Sequence, residues 1–441
     1  MSGIEVAVIG NGGREHEIGR VLNNSDEVDS IYFLDGNAGT ETLEKAVNVD
    51  IRPDSIQEIV RFAHAKKIGL TVIGPEVPLS YGLADRLREH DLLVFGPNRD
   101  GAKIETSKRY AVKFMSEFGI RHPMSQTVHD LSSGLFAMQR LNPRNYVLKA
   151  DGLSGGKDVF LPDNIEDSKL ALQHLFSNHK PSSTGRKNVI IQSRYHGSEL
   201  SAFVVTDGDN FTLLPFSQDH KRLEDGDKGP NTGGMGAYSP ITESILNKLT
   251  EEKIHDIAER TIAGLKKRNT PYQGVIYIGL MLAEELDREP VVLEYNARFG
   301  DPEAQVILPL LEQSGVDVFK LLLNTAEGQL DKTKIINSVG RSALTVCLAS
   351  EGYPIQSHVG DDISGLTQDY PDVIIHHGAT LREKDKIKTN GGRVLYLTGL
   401  GKNVDQAAEK SYGALSHINF PGMQYRTDIG YQARTSPQIL E

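Results

Sequence analysis

Cysteine is almost missing from this chain. Cys347 is the only one in 441 residues, which excludes an intrachain disulfide and any multi-cysteine metal site and points to a reducing compartment. No run of about 18 apolar residues occurs, so no membrane-spanning segment is expected. The amino terminus, MSGIEVAVIGNGG, lacks the basic region of a secretory signal and enters a strand pattern at once. Positive charge is in deficit: 48 Lys and Arg against 59 Asp and Glu leave a formal charge of −11. Nucleic acid or an anionic membrane is therefore disfavoured as the main partner, because a phosphate backbone needs a basic face. A small phosphorylated substrate remains compatible, since local cations dominate a cleft. Several chemical signatures are missing too. There is no Cys–His or G-x-S-x-G arrangement for a covalent nucleophile, no histidine cluster at zinc-ligand spacing, and no G-x-x-x-x-G-K-[ST] phosphate loop. The pair His376–His377 stands alone.

What is present fits a soluble globular chain, 38% apolar and 24% charged. Its length predicts about two to four domains. Over the first hundred residues, short apolar runs end in glycine turns (IEVAVIGNGG, SIYFLDGNAG, GLTVIGPEVP, LLVFGPN) with helical patterns between them. That alternation predicts βαβ units and a parallel sheet, with ligands at the carboxyl ends of its strands. A helix is expected over 102–118, and NYVLKA reads as a strand entering the loop that follows. NVIIQSR, LSAFVVTDG and FTLLPFSQ read as antiparallel strands. The stretch DHKRLEDGDKGPNTGGMGAYSP is long, polar and glycine-rich, and reads as a functional loop or lid. A helix is expected over 243–267, and then two strands. Asp301 and Pro302 read as N-cap and first residue of another helix. From about Ser338, strands alternate to a final helix near 404–417.

Five stretches carry candidate chemistry. In VIGNGGREH, Gly10 and Gly12 begin a dinucleotide fingerprint, and Asp35 ends the next strand where a ribose acid would stand. Glu15 occupies the third glycine position. A phosphate at the helix N-terminus and a turn with no ligand both remain open. In VVLEYNARFGDPE, strand alternation puts Glu294, Asn296 and Arg298 on one face and Tyr295, Ala297 and Phe299 on the other, towards a core. A carboxylate, a carboxamide and a guanidinium in a row suit a metal–phosphate group, or else form a solvated polar face. Lys149 and Lys157 flank ADGLSGG, with Gly155 and Gly156 allowing close backbone approach to phosphate; the alternative is an ordinary flexible hairpin. Glu199 opens a strand, where it could accept from ribose hydroxyls or stand as a surface acid, and Gln218–Arg222 crowd charge just before the glycine-rich stretch, as part of a lid or as a surface cluster.

Together with GNAGT, GPEVPL, FGP, Ser107–Lys108, SQDHKR, GPNTGGMGAYSP and TNGGRVL, these stretches resemble, in order and spacing from end to end, the phosphoribosylamine–glycine ligase (glycinamide ribonucleotide synthetase) family of the ATP-grasp superfamily. The resemblance implies an α/β and α+β multidomain chain. Its expected parts are a Rossmann-like N-terminal domain over 1–101, a linker helix and first ATP-grasp lobe over 102–192, a second lobe over 193–330, and a small β-rich C-terminal domain over 331–441. It implies a cytoplasmic monomer, acting on glycine, 5-phosphoribosylamine and ATP with Mg²⁺ or Mn²⁺, through a glycyl phosphate, in de novo purine synthesis. Carried over by motif, Lys108, Lys149, Gly155, Gly156, Lys157 and Glu199 would bind ATP, and Glu294 and Asn296 the metal. Arg298, Asp219 and Lys221 would be catalytic, and Gly12, Gly13, Glu76, Arg222 and Asp301 would bind substrate. The loop Gly229–Gly236 would close over the acyl phosphate. Three positions depart from the family pattern. Asp158 stands where glycine is usual, Gln192–Tyr195 replaces an acidic adenine hinge, and His376–Ala379 reads HHGA for HAGT. Asp158 facing the nucleotide would weaken ATP binding; facing solvent, it would not. A sister ligase using another amino acid, a non-catalytic relative and a Rossmann oxidoreductase are the competing readings.

Overall fold

The computed structural model describes residues 3–139, 141, 145–153, 159–178, 187–330 and 340–434. Gly155, Gly156, Lys157 and Asp158 lie outside the described residues.

The N-terminal apolar runs form a five-stranded parallel sheet, in the order Ala46–Val49, Val28–Asp35, Ile4–Gly10, Leu70–Ile73, Val94–Phe95. Both faces are covered. Val6 and Val8 of the central strand enter one core while Ala7 and Ile9 enter another, the pattern of a strand buried on both sides. The strand order reverses at Ile4–Gly10, so a crevice opens at its carboxyl end, where the helix Gly13–Asn23 begins.

The helical pattern expected over 102–118 is two helices, Arg99–Thr106 and Lys108–Glu117. Ser107 separates them: its backbone is extended, and its Oγ accepts from Tyr110 N at 3.2 Å. A serine that can cap the next helix ends the previous one. Two four-stranded antiparallel sheets follow. The first runs Ser125–Val128, Val189–Ser193, Tyr146–Ala150, Val159–Phe160. The second runs Phe211–Leu213, Gly197–Thr206, Gly274–Ala283, Glu289–Asn296. Residues 192–195 carry the chain from one sheet to the other, with Ser193 N donating to Met124 O (2.8 Å) and Arg194 N to Asn145 O (2.9 Å).

The glycine-rich stretch is not a loop, contrary to the sequence reading. Arg222–Glu224 and Lys228–Asn231 form a hairpin, and Gly236–Ser239 is a strand of the C-terminal sheet. That sheet runs Gln218–Asp219, Gly236–Ser239, Ser342–Ala349, Arg393–Gly401, Val373–His377, with the helix Val404–Leu415 packed on it. Residues 218–219 and 236–239 are thus drawn out of the second lobe, because their backbone groups find strand partners there, while the hairpin between them pairs with itself. Two helix starts also move. The helix expected over 243–267 is Lys248–Lys267, started by Asn247, whose Oδ1 accepts from Thr250 N at 2.9 Å. Asp301 is not an N-cap: the helix is Ala304–Gln313, and the Asp301 carboxylate instead accepts from Gln305 Nε2 at 2.8 Å. Among the described residues no helix is long and apolar enough to cross a membrane.

Candidate active site

The strand Glu289–Asn296 behaves as its alternation predicts. Tyr295 and Ala297 are each 2% exposed and sit in one core, and Phe299, beyond the strand end, enters a second. Glu294 and Asn296 face the other way. Glu294 lies opposite Gly279 on the neighbouring strand, where an added Cβ would come within 3.1 Å of the Glu294 Cγ. Glycine there leaves the carboxylate its room. Three lysines from three parts of the chain act on this carboxylate. Lys221 Nζ lies 3.9 Å from Glu294 Oε1 and 3.3 Å from Glu199 Oε2. Lys149 comes from the first antiparallel sheet, and Lys108 opens a helix, its Nζ donating to Gly152 O at 2.8 Å. Burial by itself would raise the Glu294 pKa; Lys221, Lys149 and Lys108 outweigh it and hold the carboxyl below its usual range. Burial pushes the Lys149 ammonium down to about 8, against the pull of Glu294 and with the help of Lys108 and Lys221.

Asp219 and Lys221 join the same cluster. Burial raises the Asp219 carboxyl to about 7, opposed by Lys221 and reinforced by Glu303, Glu199 and Glu294. His220, between them, turns away: Gly430 N donates to its Nε2 at 3.2 Å. Arg222 reaches neither this cluster nor the cavity described below. Its Nη1 donates to Gly229 O at 2.7 Å within the hairpin.

Arg298 is where the strand argument gives out. It lies past the strand end, its Nη2 3.0 Å from Glu105 Oε1 and its Nε 3.4 Å from Glu76 Oε2. Glu105 also accepts from Ala297 N at 2.7 Å, so one carboxylate grips both the backbone and the guanidinium. Glu76, read from sequence as a substrate residue, sits with Arg298. Two carboxyls of this region escaped the sequence reading. Glu105 carries no local signal, whereas Glu303 ends the FGDPE stretch and accepts from Ser201 Oγ at 3.2 Å.

A second locus opens at the N-terminal crevice. Asn11–Gly13, Gly36, Asn37 and Asp301 face Gly378–Thr380, Asn390, Arg393 and Tyr396 across a cavity of about 290 Å³. Gly13 is required here, since a Cβ would lie 2.3 Å from the Tyr396 ring. Arg393 is the cation of this wall, 3.3 Å from Asp301 Oδ2 and donating to Gly233 O at 2.7 Å. Glu15, at the third glycine position, is 2% exposed and accepts from Gly12 N at 2.8 Å. Its side chain occupies the space that the dinucleotide reading needs empty. Asp35 accepts from Asn11 Nδ2 at 2.7 Å. The site residues thus fall into two groups: Lys108, Lys149, Glu199, Asp219, Lys221, Glu294, Asn296, Arg298 and Glu76 in one, and Gly12, Gly13 and Asp301 in the other.

Two lobes of antiparallel sheet with lysines converging on a strand carboxylate, behind a parallel-sheet domain, are the build of an ATP-dependent ligase of the ATP-grasp class. Family models for phosphoribosylglycinamide synthetase match the chain in succession, the N domain over residues 4–105, the ATP-grasp (A) domain over 106–304 and the C domain over 343–432. The chain belongs to the phosphoribosylglycinamide synthetase family. Among its relatives, the phosphoribosylamine–glycine ligase of Neisseria meningitidis is 38% identical over 432 residues, 98% of this chain and 99% of that protein. The trifunctional purine biosynthetic protein adenosine-3 of Gallus gallus is 37% identical, across 97% of this chain and 42% of its own length. The crystal structure of phosphoribosylamine–glycine ligase from Thermotoga maritima superposes with a TM-score of 0.82 at 33% identity, covering 97% of this chain and all of that one. The biotin carboxylase domain of a Hydrogenobacter thermophilus carboxylase, at 13% identity and a TM-score of 0.71, shares the fold.

Proposed function

We infer that this ligase joins glycine to 5-phosphoribosylamine, with ATP converted to ADP and phosphate, and that the reaction passes through glycyl phosphate. The observation that carries this reading is the convergence of Lys108, Lys149 and Lys221 on Glu294, separate from the cavity at Asn11–Gly13. A carboxylate becomes an electrophile only when the incoming phosphoryl charge is neutralised and aligned. In this reading Lys108 and Lys149 hold the ATP phosphates, together with the stretch containing Gly155, Gly156 and Lys157, and Glu199 takes ribose hydroxyls. Lys221 and Arg298 balance charge at the transferring group. Asp219, with its carboxyl near 7, is suited to take the proton that the attacking amine loses at nitrogen.

A divalent cation fits the residues present. Glu294 and Asn296 offer two hard oxygens from one strand face, and the Asn296 carboxamide makes no hydrogen bond among the described residues. No set of three or more His, Cys, Asp or Glu side chains there is placed to hold a metal alone. Mg²⁺ or Mn²⁺ suits such a two-oxygen face, because phosphate oxygens and water complete its shell. Once bound, it would neutralise phosphate charge.

The cavity is the place for phosphoribosylamine in this reading. Gly12, Gly13 and Asp301 line it, Arg393 and Asn390 supply donors, and glycine lies between the cavity and Glu294. The divisions 1–101, 102–192, 193–330 and 331–441, with the strands Gln218–Asp219 and Gly236–Ser239 lent by the second lobe to the C-terminal sheet, a monomeric state and a cytoplasmic setting complete the proposal. The test is ADP release in a coupled assay with freshly prepared phosphoribosylamine. Release should require that amine and glycine. Equal rates with alanine or β-alanine, or release indifferent to the amine, would overturn it.

A further inference from the structure

The far wall of the cavity is held by side chains to which the proposed reaction gives no task. Its residues Gly378–Thr380 directly follow the strand Val373–His377. Two residues of the parallel-sheet domain grip the His377 backbone. Its N–H donates to His16 Nδ1 at 2.9 Å, and its carbonyl accepts from Asn37 Nδ2 at 2.8 Å. Asn37 Nδ2 also donates to Asn11 O at 2.8 Å, which ties the near wall to the far one.

His16 lies in the helix that starts at the cavity and is 5% exposed. Because Nδ1 accepts, the ring must be neutral with its proton on Nε2. Its surroundings keep it neutral. Burial, then the His377 and His376 rings and Arg20, hold its pKa well below the ordinary value. The neighbouring Glu17 is committed to Arg20 (2.7 Å) and lies 3.3 Å from His376 Nδ1. Without the His16 acceptor, the His377 N–H would be buried and unpaired, and the wall would shift to find another partner.

We propose that His16 is a positioning residue for phosphoribosylamine, setting the Gly378–Thr380 wall through the His377 N–H without touching the ATP site. The proposal rests on the reading of the cavity as the phosphoribosylamine pocket. Steady-state kinetics on three full-length variants test it. His16→Phe keeps a ring and removes the acceptor, and His16→Asn puts an amide oxygen near the place of Nδ1. Ala379→Leu adds bulk to the cavity itself. His16→Phe should raise KM for phosphoribosylamine about tenfold, the value of one lost hydrogen bond, with kcat and the KM for ATP within about twofold. His16→Asn should bring that KM back to within about threefold of the parent, and Ala379→Leu should raise it at least about tenfold. If Ala379→Leu raises KM and His16→Phe does not, the positioning role is wrong and the pocket stands. If Ala379→Leu has no effect, the pocket reading itself fails. Loss of ATP and phosphoribosylamine affinity together in His16→Phe, or no rescue by a folded His16→Asn, would mean general loosening and overturn the proposal. His16→Leu supplies the same comparison if the phenyl ring prevents folding.

Discussion

Glu294 sits among three lysines that hold it ionised against its burial. Replacing it by glutamine preserves volume and removes the charge. Glu294→Gln should lower kcat by roughly 10²–10³-fold at limiting Mg²⁺ while the melting midpoint moves by less than about 3 °C. Near-normal turnover would remove Glu294 from metal binding. Glu105 presents the opposite case. Burial raises its carboxyl from 4.5 to about 7 even beside Arg298. A folded-state value above the unfolded one means that the folded chain holds the proton more tightly. This stabilisation is complete below about pH 4.5 and lost as pH rises through 7, by at most about 3 kcal/mol. The ligand-free protein should therefore lose stability between pH 5 and 8, and Glu105→Gln, which mimics the protonated form, should flatten that decline. Identical urea midpoints against pH for both proteins would show that Glu105 does not titrate there.

At the scale of elements, the break at Ser107 decides where Lys108 points. One continuous helix from Arg99 would turn Lys108 with the helix phase. The extended residue Ser107 resets that phase, and the side chain comes to rest on Gly152 O. Ser107 Oγ both accepts from Tyr110 N (3.2 Å) and donates to Asp151 Oδ1 (3.1 Å), tying the break to the first lobe. Ser107→Ala should cost about 1 kcal/mol in denaturant unfolding. It should also raise the KM for ATP about threefold, since Lys108 loses its fixed origin. An unchanged ATP KM would separate the cap from nucleotide binding.

Across the whole molecule, the C-terminal sheet and the glycine-rich hairpin are joined by one guanidinium. Arg426 is 0% exposed, and its Nη1 donates to Asp227 Oδ1 at the hairpin tip (2.7 Å) while its Nε donates to Asp428 Oδ1 (2.7 Å). Thr427 N adds a bond to Asp225 Oδ1 at 2.8 Å. These ties anchor the hairpin tip to the C-terminal part of the chain, next to the stretch Gly229–Gly236, read from sequence as a closing loop. Arg426→Met leaves two carboxylates without their partner; because Asp227 is 44% exposed and Asp428 only partly buried, water takes over part of that role and the change should cost about 1–3 kcal/mol. A thermal midpoint unchanged in the variant would show the tie to be dispensable.

The sequence alone determined what depends on near neighbours. Apolar runs of strand length punctuated by glycine produce the parallel sheet, and period-2 alternation separates Glu294 and Asn296 from buried Tyr295 and Ala297, because both follow from the geometry of a few consecutive residues. Its ordered motifs likewise carried the family. Tertiary structure decided the partners. Nothing local to Glu105 announces that it will hold Ala297 and Arg298, 192 and more positions away. The polar, glycine-rich composition of residues 219–239 reads as a loop until the strand Ser342–Ala349 is there to pair with Gly236–Ser239. The cavity has one wall at residues 11–13 and the other at 378–396, so it exists only once the two ends of the chain have packed together. Backbone groups and buried charges take whichever partner the packing brings within reach, and a repeat of two or of 3.6 residues does not encode that choice.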